Sequence, residues 1–222
     1  MVYRQTEHTR QKKAGTRERI LAEAKALVTE GGFAAASVVA VAQRSSIATG
    51  TIYRHFPSKG ELVAEVFRAA SGTELEAVTN ASQIKASPTE RMREAVHTFA
   101  ARALKAPRLA YALIAEPVDP LVEAERLRFR FAYSEAFEDL IEDGVKSGEF
   151  AKQNASVCAG ALVGMLAESL VGPLSPRLSS VNEQVSERET LVESIKDELL
   201  SEIIAMALRA VGVTPKGEVS SG

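Results

Sequence analysis

The 222-residue sequence contains no tryptophan, one cysteine (Cys158) and only 5% aromatic residues. A single cysteine cannot form a disulfide within the chain, which favours a reducing, cytoplasmic location. Scarce aromatics beside abundant alanine and aliphatic residues favour helices over a β-sandwich. The longest apolar run, residues 157–167, is about half of the roughly 20 residues that a membrane span needs, and residues 1–14 do not resemble a secretory signal. We therefore expect a soluble protein without a membrane anchor.

The residue types that enzymes use for catalysis are few and dispersed. The three histidines, His8, His55 and His97, stand far apart in the sequence. Cys158 lies among small apolar residues, where a buried and inert thiol is expected. The sequence has no phosphate-binding loop, dinucleotide fingerprint or paired metal-ligand spacing. We therefore expect no enzymatic activity, no cofactor and no metal site.

Charge is distributed unevenly along the chain, although the net charge is only −2. Residues 1–60 contain 10 Lys/Arg against 4 Asp/Glu, whereas the remainder contains 17 against 25. A basic end attached to an acidic body indicates that the basic end binds a polyanion. Residues 1–15, with Arg10, Lys12 and Lys13, are expected to form a flexible basic arm that either contacts DNA or only improves solubility.

Two short helices joined by a tight turn are predicted within residues 37–56. Ser37 is a good N-cap for the first helix, and the second begins near Ala48. Ile52 and Phe56 are four residues apart and share the inner face of the second helix, whose outer face is polar and partly cationic. Such a helix fits the major groove of DNA, which is wide enough to admit it.

Helical periodicity continues through the rest of the chain and predicts an all-α fold of about nine helices. Thr16 is the expected N-cap of the first helix, and Gly172-Pro173 is expected to end the helix that follows Asn154. The predicted divisions are a flexible basic arm (1–15), a three-helix helix-turn-helix DNA-binding domain (16–60), a connecting helix (61–86), a helical body (87–213) and a disordered tail (214–222).

The segment Thr-Ile-Tyr-Arg-His-Phe-Pro-Ser-Lys at 51–59, preceded by Gly-Gly-Phe at 31–33, resembles the DNA-binding domain of the TetR/AcrR family of bacterial transcriptional regulators. The resemblance implies a homodimer that binds a pseudo-palindromic operator as a repressor and is released by a small molecule. Two positions depart from the family pattern. Ser46 replaces the usual glycine of the turn, so a serine must adopt any left-handed backbone there. Ala48 replaces the usual serine cap, which leaves Thr49 as the alternative cap.

The candidate DNA contacts follow from side-chain chemistry. Lys59 and the free N–H groups that begin the next helix are expected to hold a phosphate, with Tyr53 and His55 donating to other phosphates. Thr49 and Gly50, at the tip of the groove helix, are expected to approach base edges. The predicted DNA-binding residues are Ser37, Arg44, Thr49, Gly50, Thr51, Tyr53, Arg54, His55 and Lys59.

Three of these assignments have an ordinary alternative. Outside this motif, Tyr53 would be interpreted as a packing aromatic and His55 as a surface histidine. Arg44 is equally interpretable as a solvated charge.

The resemblance implies that residues 87–213 form a ligand-binding and dimerisation domain with a pocket among its middle helices. Any single pocket candidate can instead belong to the core. The pocket candidates are Met92, Val96, Phe99, Tyr111, Ile114, Phe129, Tyr133, Phe137, Leu162 and Met165. The polar groups that can orient a ligand are His97, Arg102, Glu116, Arg126 and Arg130. This lining favours a small, largely apolar effector.

Two late helices carry small residues and an apolar stripe, which predict a four-helix dimer interface. The interface candidates are Ala159, Gly160, Gly164, Leu191, Ile195, Leu199, Ile203 and Met206. The alternative is that both stripes face the chain's own core.

The sequence therefore leaves two functions open. One is a dimeric repressor that a small molecule releases from DNA. The other is a DNA-bound scaffold that recruits a protein and has no small-molecule ligand. A closed, fully packed body would favour the scaffold.

Overall fold

The computed structural model describes residues 7–176 and 188–213, with side chains described over 10–176 and 194–213. The predicted tail and the first six residues of the predicted arm lie outside these ranges. Within them the chain forms nine α-helices and no strand, which confirms the predicted fold class. The helices are α1 (Glu7–Gly31), α2 (Val38–Arg44), α3 (Thr49–His55), α4 (Lys59–Ser82), α5 (Pro88–Lys105), α6 (Pro107–Ile114), α7 (Pro120–Ser147), α8 (Ala155–Leu174) and α9 (Arg188–Ala210).

Most helix starts follow from local capping. The hydroxyls of Ser37 and Ser58 each accept the backbone N–H three residues further on, at 3.1 Å. Ser87 and Glu90 cap α5 reciprocally, each side chain accepting the other residue's backbone N–H. Proline occupies the first helical position of α5, α6 and α7, where no backbone donor is needed. These signals are local, which is why the sequence predicts them.

Two predicted helix boundaries are wrong. The first helix begins at Glu7, so residues 7–15 are helical and Thr16 lies inside α1, donating its hydroxyl to the Lys12 carbonyl at 2.9 Å. α8 continues through Pro173 to Leu174. Leu174 is 1% exposed, and its burial in the body core holds a last turn that proline disfavours.

One core joins the first four helices to the body. Residues from α1, α2, α3 and the start of α4 pack together with Leu109 and Ala112 of α6 and Val122 of α7. Phe67 of α4 lies at the centre, with ring centroids 6.2 Å from Phe33 and 6.0 Å from Phe129. The helix-turn-helix unit is therefore packed directly on the body.

A second core lies among α5, α7, α8 and α9. Its largest side chains, including Met92, Phe137, Leu140 and Leu166, are almost fully buried. Burying each such side chain contributes about 1.5–3 kcal/mol to folding.

α8 is the one helix in the described ranges that is long and apolar enough to cross a membrane. Its inner face, with Leu162 and Leu170, is buried in the body core. Its outer face exposes Val157, Gly160 and Gly164. α8 is thus a core helix on one side and carries an uncovered small-residue surface on the other.

Candidate DNA-binding surface and body cavity

The turn between α2 and α3 has left-handed backbone at Ser46, where φ is 53°. This confirms that serine occupies a conformation that normally favours glycine. The N–H of Ile47 donates to the Ala42 carbonyl at 3.0 Å and closes the turn. Ser45, beside it, has a buried hydroxyl without a hydrogen-bond partner within the described residues. The turn therefore fixes the orientation of α3. Its cost in folding free energy comes from the left-handed backbone of Ser46 and the buried hydroxyl of Ser45.

Ala48 is the N-cap of α3 and no side chain caps the helix. The expectation that Thr49 takes over the cap is wrong, because Thr49 is already the first helical residue. Ile52 is 0% and Phe56 2% exposed, which confirms the predicted inner face. The helix is consequently held by its apolar face and by the turn rather than by a cap.

The outer face of α3 carries the predicted DNA-binding groups. Thr49, Gly50, Tyr53 and Arg54 are exposed, and the Tyr53 ring is a large apolar surface left uncovered. Thr51 and His55 are half-buried, while Lys59 is exposed at the start of α4. The structure thus brings seven of the predicted residues onto α3 and the first turn of α4.

α1 lies beside this surface. Arg17 is placed over the Phe56 ring at 4.8 Å and pairs with Glu65 of α4 at 2.5 Å. Burial, and then the positive charges of Lys13 and Arg17, lower the pKa of His55 below 6.5. The neutral form of the His55 ring is therefore favoured in the absence of DNA. Lys13 belongs to α1 rather than to a flexible arm.

The other two predicted DNA-binding residues are engaged within the protein. Arg44 donates to Glu23 at 2.9 Å and to Glu30 at 2.5 Å, and the hydrogen bond to Glu30 raises its pKa. The Ser37 hydroxyl caps α2. Arg44, the last residue of α2, is thus neutralised by two carboxylates of α1 and is not a free cation beside α3.

A cavity of about 100 Å³ lies among α4, α5, α6, α7 and α8. Four predicted pocket residues line it: Phe99, Ile114, Phe129 and Tyr133. α4 also forms part of the wall, through Phe67, Ser71, Glu74 and Val78, none of which is among the predicted pocket residues. These four residues are spaced so that they share one face of α4. That spacing is visible in the sequence, but α4 was assigned only the role of a connecting helix.

The remaining pocket predictions are wrong. Met92, Val96 and Phe137 are buried in the body core, and Tyr111 packs against that core. Leu162 and Met165 line a shallow groove on α8 and α9 instead. Core and cavity walls use the same apolar residues, so helical periodicity alone cannot separate them.

The cavity wall contains an ion pair. Arg102 donates to both carboxylate oxygens of Glu74, at 2.6 and 3.0 Å, and this pairing raises its pKa. The Tyr133 ring meets Phe99 edge to face at 5.6 Å, and burial raises the pKa of its phenol. His97 does not line the cavity, which contradicts its predicted role.

Arg126, also in the cavity wall, holds the end of α6. Its guanidinium donates to the carbonyls of Ala112, Leu113 and Glu116 at 2.8–3.2 Å, and burial lowers its pKa. It also donates to the Glu123 carboxylate at 2.5 Å. Arg126 therefore joins the cavity wall to the segment that follows α6.

Glu116 connects that segment to the DNA-binding unit. Its carboxylate accepts the backbone N–H groups of Phe33 and Ala34, at 3.0 and 3.2 Å. Gly32, with φ 78°, lies against the same carboxylate, and a Cβ there would collide with it. The prediction that Glu116 orients a ligand is wrong, because its carboxylate is used between the two parts of the protein.

The dimer-interface candidates divide into two groups. Gly160, Gly164, Ile195 and Met206 are exposed, whereas Ala159 and Ile203 are buried in the chain's own core, which contradicts their predicted role. Leu199 is half-buried against the same core. The side chain of Leu191 lies outside the described residues. The uncovered surface is therefore narrower than predicted.

A helix-turn-helix unit packed on a separate helical body defines a class of DNA-binding regulators. Two family models match the chain: "Bacterial regulatory proteins, tetR family" over residues 20–66 and "Tetracyclin repressor-like, C-terminal domain" over 85–170. The chain belongs to the TetR family of bacterial regulatory proteins. Neither model describes an enzyme, and no cluster of three metal-binding side chains occurs in the described part of the chain.

Among curated relatives, the transcriptional repressor KstR of Rhodococcus jostii is 49% identical over 47 residues, which cover 21% of this chain and 22% of that protein. The match thus spans about a fifth of the relative. The structure of FadR from Bacillus subtilis in complex with stearoyl-CoA has a TM-score of 0.67 at 15% identity, covering 89% of this chain and 99% of that one. RolR in complex with resorcinol has a TM-score of 0.66 at 19% identity, covering 92% and 91%. These structures share the fold.

Proposed function

We propose that this protein is a cytoplasmic transcriptional repressor that binds a pseudo-palindromic operator as a homodimer and is released when a small molecule occupies the body cavity. The observation that carries the proposal is the position of Phe67. This ring belongs to the core of the DNA-binding unit and lines the cavity as well. A ligand in the cavity therefore touches a residue on which the DNA-binding unit rests.

DNA binding is assigned to α3. Thr49, Gly50 and Thr51 approach base edges, while Tyr53, His55 and Lys59 contact phosphates. Phosphate contacts supply much of the affinity, and about 6–10 of them across a dimer would weaken binding about 10³–10⁵-fold between 50 and 200 mM salt.

Coupling between cavity and DNA runs along two routes. α4 begins beside α3 and forms one cavity wall. Arg126 and Glu116 join a second wall to the backbone before α2. A coupling free energy of about 1–3 kcal/mol would change operator affinity about 5–150-fold.

The uncovered face of α8 is assigned to the dimer. Gly160 and Gly164 permit close helix approach, and Ile195 and Met206 of α9 are exposed apolar side chains that a second copy would cover. A dimer would place two copies of α3 on the two halves of an operator.

A small-molecule effector is favoured over a scaffold function because the body is not fully packed. RolR was solved with resorcinol and the Bacillus FadR with stearoyl-CoA. The cavity of about 100 Å³ suits a molecule nearer in size to resorcinol than to a long acyl chain.

The test is to capture fragments of a bacterial genome on the purified protein at 50 mM salt and to sequence those retained. We expect a few fragments that share an inverted repeat. Tyr53→Ala should reduce retention of all of them, whereas Thr49→Val should change their ranking. Equal retention of all fragments, or binding that salt does not weaken, would refute the proposal.

A further inference from the structure

The cavity is small. An apolar cavity of about 150 Å³ holds one benzene ring, so a space of about 100 Å³ is on the scale of a single small ring. The space therefore suits a compact ligand. A long flexible chain would require the helices to separate.

Two pairs of aromatic rings line this space. Phe67 and Phe129, which pack with the core of the DNA-binding unit, form an edge-to-face pair at 6.0 Å. Phe99 of α5 and Tyr133 of α7 form another pair at 5.6 Å. An aromatic ligand can continue this edge and face packing on either side, which adds about 0.5–1.5 kcal/mol per ring pair beyond area burial. The walls thus favour a flat ring.

The wall also has an excess of positive charge, with three arginines against one carboxylate. Arg102 is neutralised by Glu74, and Arg126 is paired with Glu123. Arg130 lies one helical turn after Arg126 and has no carboxylate partner among the side chains that the structure describes. Its exposed position places an uncompensated guanidinium at the edge of an aromatic space.

We propose that the effector of the cavity is a compact aromatic monocarboxylate whose ring lies among Phe67, Phe99 and Phe129 and whose carboxylate pairs with Arg130. The inference rests on the proposed function and adds the chemical class of its ligand. A guanidinium offers two parallel N–H groups to a carboxylate, a geometry that a neutral amide or alcohol cannot match.

The test measures binding of benzoate and phenylacetate to the full-length protein by titration calorimetry and thermal shift. Benzamide supplies the ring without the charge, and butyrate supplies the charge without the ring. We expect benzoate or phenylacetate to bind at least about tenfold more tightly than benzamide or butyrate, a difference of about 1.4 kcal/mol. Equal binding of benzoate and benzamide, or no binding of either acid at about 10 mM, would overturn the proposal.

Arg130→Gln should remove the preference for benzoate over benzamide while benzamide binding is retained. Arg128→Gln, on the same helix but paired with Glu125, is the matched control and should keep the preference. If both variants behave alike, Arg130 is not the carboxylate partner.

Retention of operator fragments is measured on the same samples. If DNA binding is intact and the acids do not bind, the ligand class is wrong and the regulator function stands. If the acids bind and no DNA is retained, the ligand class stands and the regulator function is wrong.

Discussion

The carboxylate of Glu116 accepts the backbone N–H of Phe33 at 3.0 Å, which ties the end of α6 to the segment that precedes α2. The carbonyl of the same residue accepts from Arg126 at 2.8 Å, on the cavity side. One residue therefore touches both the DNA-binding unit and a residue of the cavity wall. Neither contact is between neighbours in the sequence.

Glu116→Ala should lower the free energy of unfolding by about 1–3 kcal/mol, because two backbone N–H groups lose a charged acceptor. The measurement is urea denaturation followed by circular dichroism. Glu94→Ala removes an exposed carboxylate from α5 and is the control, with an expected effect within about 0.5 kcal/mol. Similar destabilisation by both variants would contradict the role given to Glu116.

Ser46→Gly should stabilise the protein by about 0.5–1 kcal/mol. Left-handed backbone costs a non-glycine residue about 1–2 kcal/mol, and Ser46→Gly removes this strain. Glycine is also more flexible in the unfolded chain, which reduces the net stabilisation. Gln43→Gly, at an exposed position inside α2 just before the turn, relieves no left-handed backbone and should destabilise by about 1 kcal/mol. Thermal or urea unfolding measures the stability of both variants relative to the wild type. A Ser46→Gly protein less stable than the wild type would argue against strain at this turn.

DNA binding should strengthen as pH falls from 8 to 6, by at most about tenfold per pH unit for each chain. Burial and nearby cations lower the pKa of His55 in the free protein, and a phosphate beside the ring would raise it. Binding therefore takes up protons. Fluorescence anisotropy at constant ionic strength measures the slope, and His55→Gln should flatten it.

Stability should respond to pH in the opposite direction. Because folding lowers the pKa of His55, its contribution to stability is complete above about pH 6.5 and is lost as the pH falls through the folded value. A His55→Gln protein with an unchanged pH slope in both assays would exclude His55 as the titrating group.

Lys59→Gln should weaken binding to all sequences alike and reduce the salt slope of log K by about 1 per chain. In the proposed complex, the exposed ammonium at the start of α4 would contact a phosphate and release a counterion. Lys152→Gln, in the connection between α7 and α8, should leave the slope unchanged. Equal slopes for wild type and Lys59→Gln would remove Lys59 from the interface.

Gly164→Leu should convert the proposed dimer to a monomer without destabilising the chain, because no described atom outside its own helix lies within 4 Å of the added Cβ. Analytical ultracentrifugation at micromolar concentration is the measurement. Gly72→Leu, at an equally open position on α4, is the matched control and should leave the dimer intact. A monomeric wild-type protein would refute the proposed interface.

The sequence predicted the helix-turn-helix unit closely because its signals are local. Ser37 and Ser58 cap helices that follow them, and Ile52 and Phe56 define an inner face by spacing alone. The start of α1 was missed because residues 7–15 carry neither a cap nor an apolar stripe. Those residues extend a helix that Ile20 anchors further along.

The cavity was predicted only in part. Phe99 and Tyr133 were identified, whereas Phe67 and Glu74 were not, because α4 was interpreted as a connection. Glu116 and Arg126 were recognised as polar groups of interest, but their partners are backbone atoms far away in the sequence. Side-chain periodicity contains no information about such partners.

The order of residues by itself determined the helices, the polar outer side of α3 and the serine forced into a left-handed turn, since capping, spacing and backbone sterics act within a few residues. Only the folded arrangement decided which apolar side chains fill the core and which surround a space. It also decided that Arg44 is neutralised by Glu23 and Glu30, whereas Arg130 meets no carboxylate among the side chains that the structure describes. These outcomes depend on packing between helices and on charges brought together from distant segments, neither of which is encoded by any local pattern.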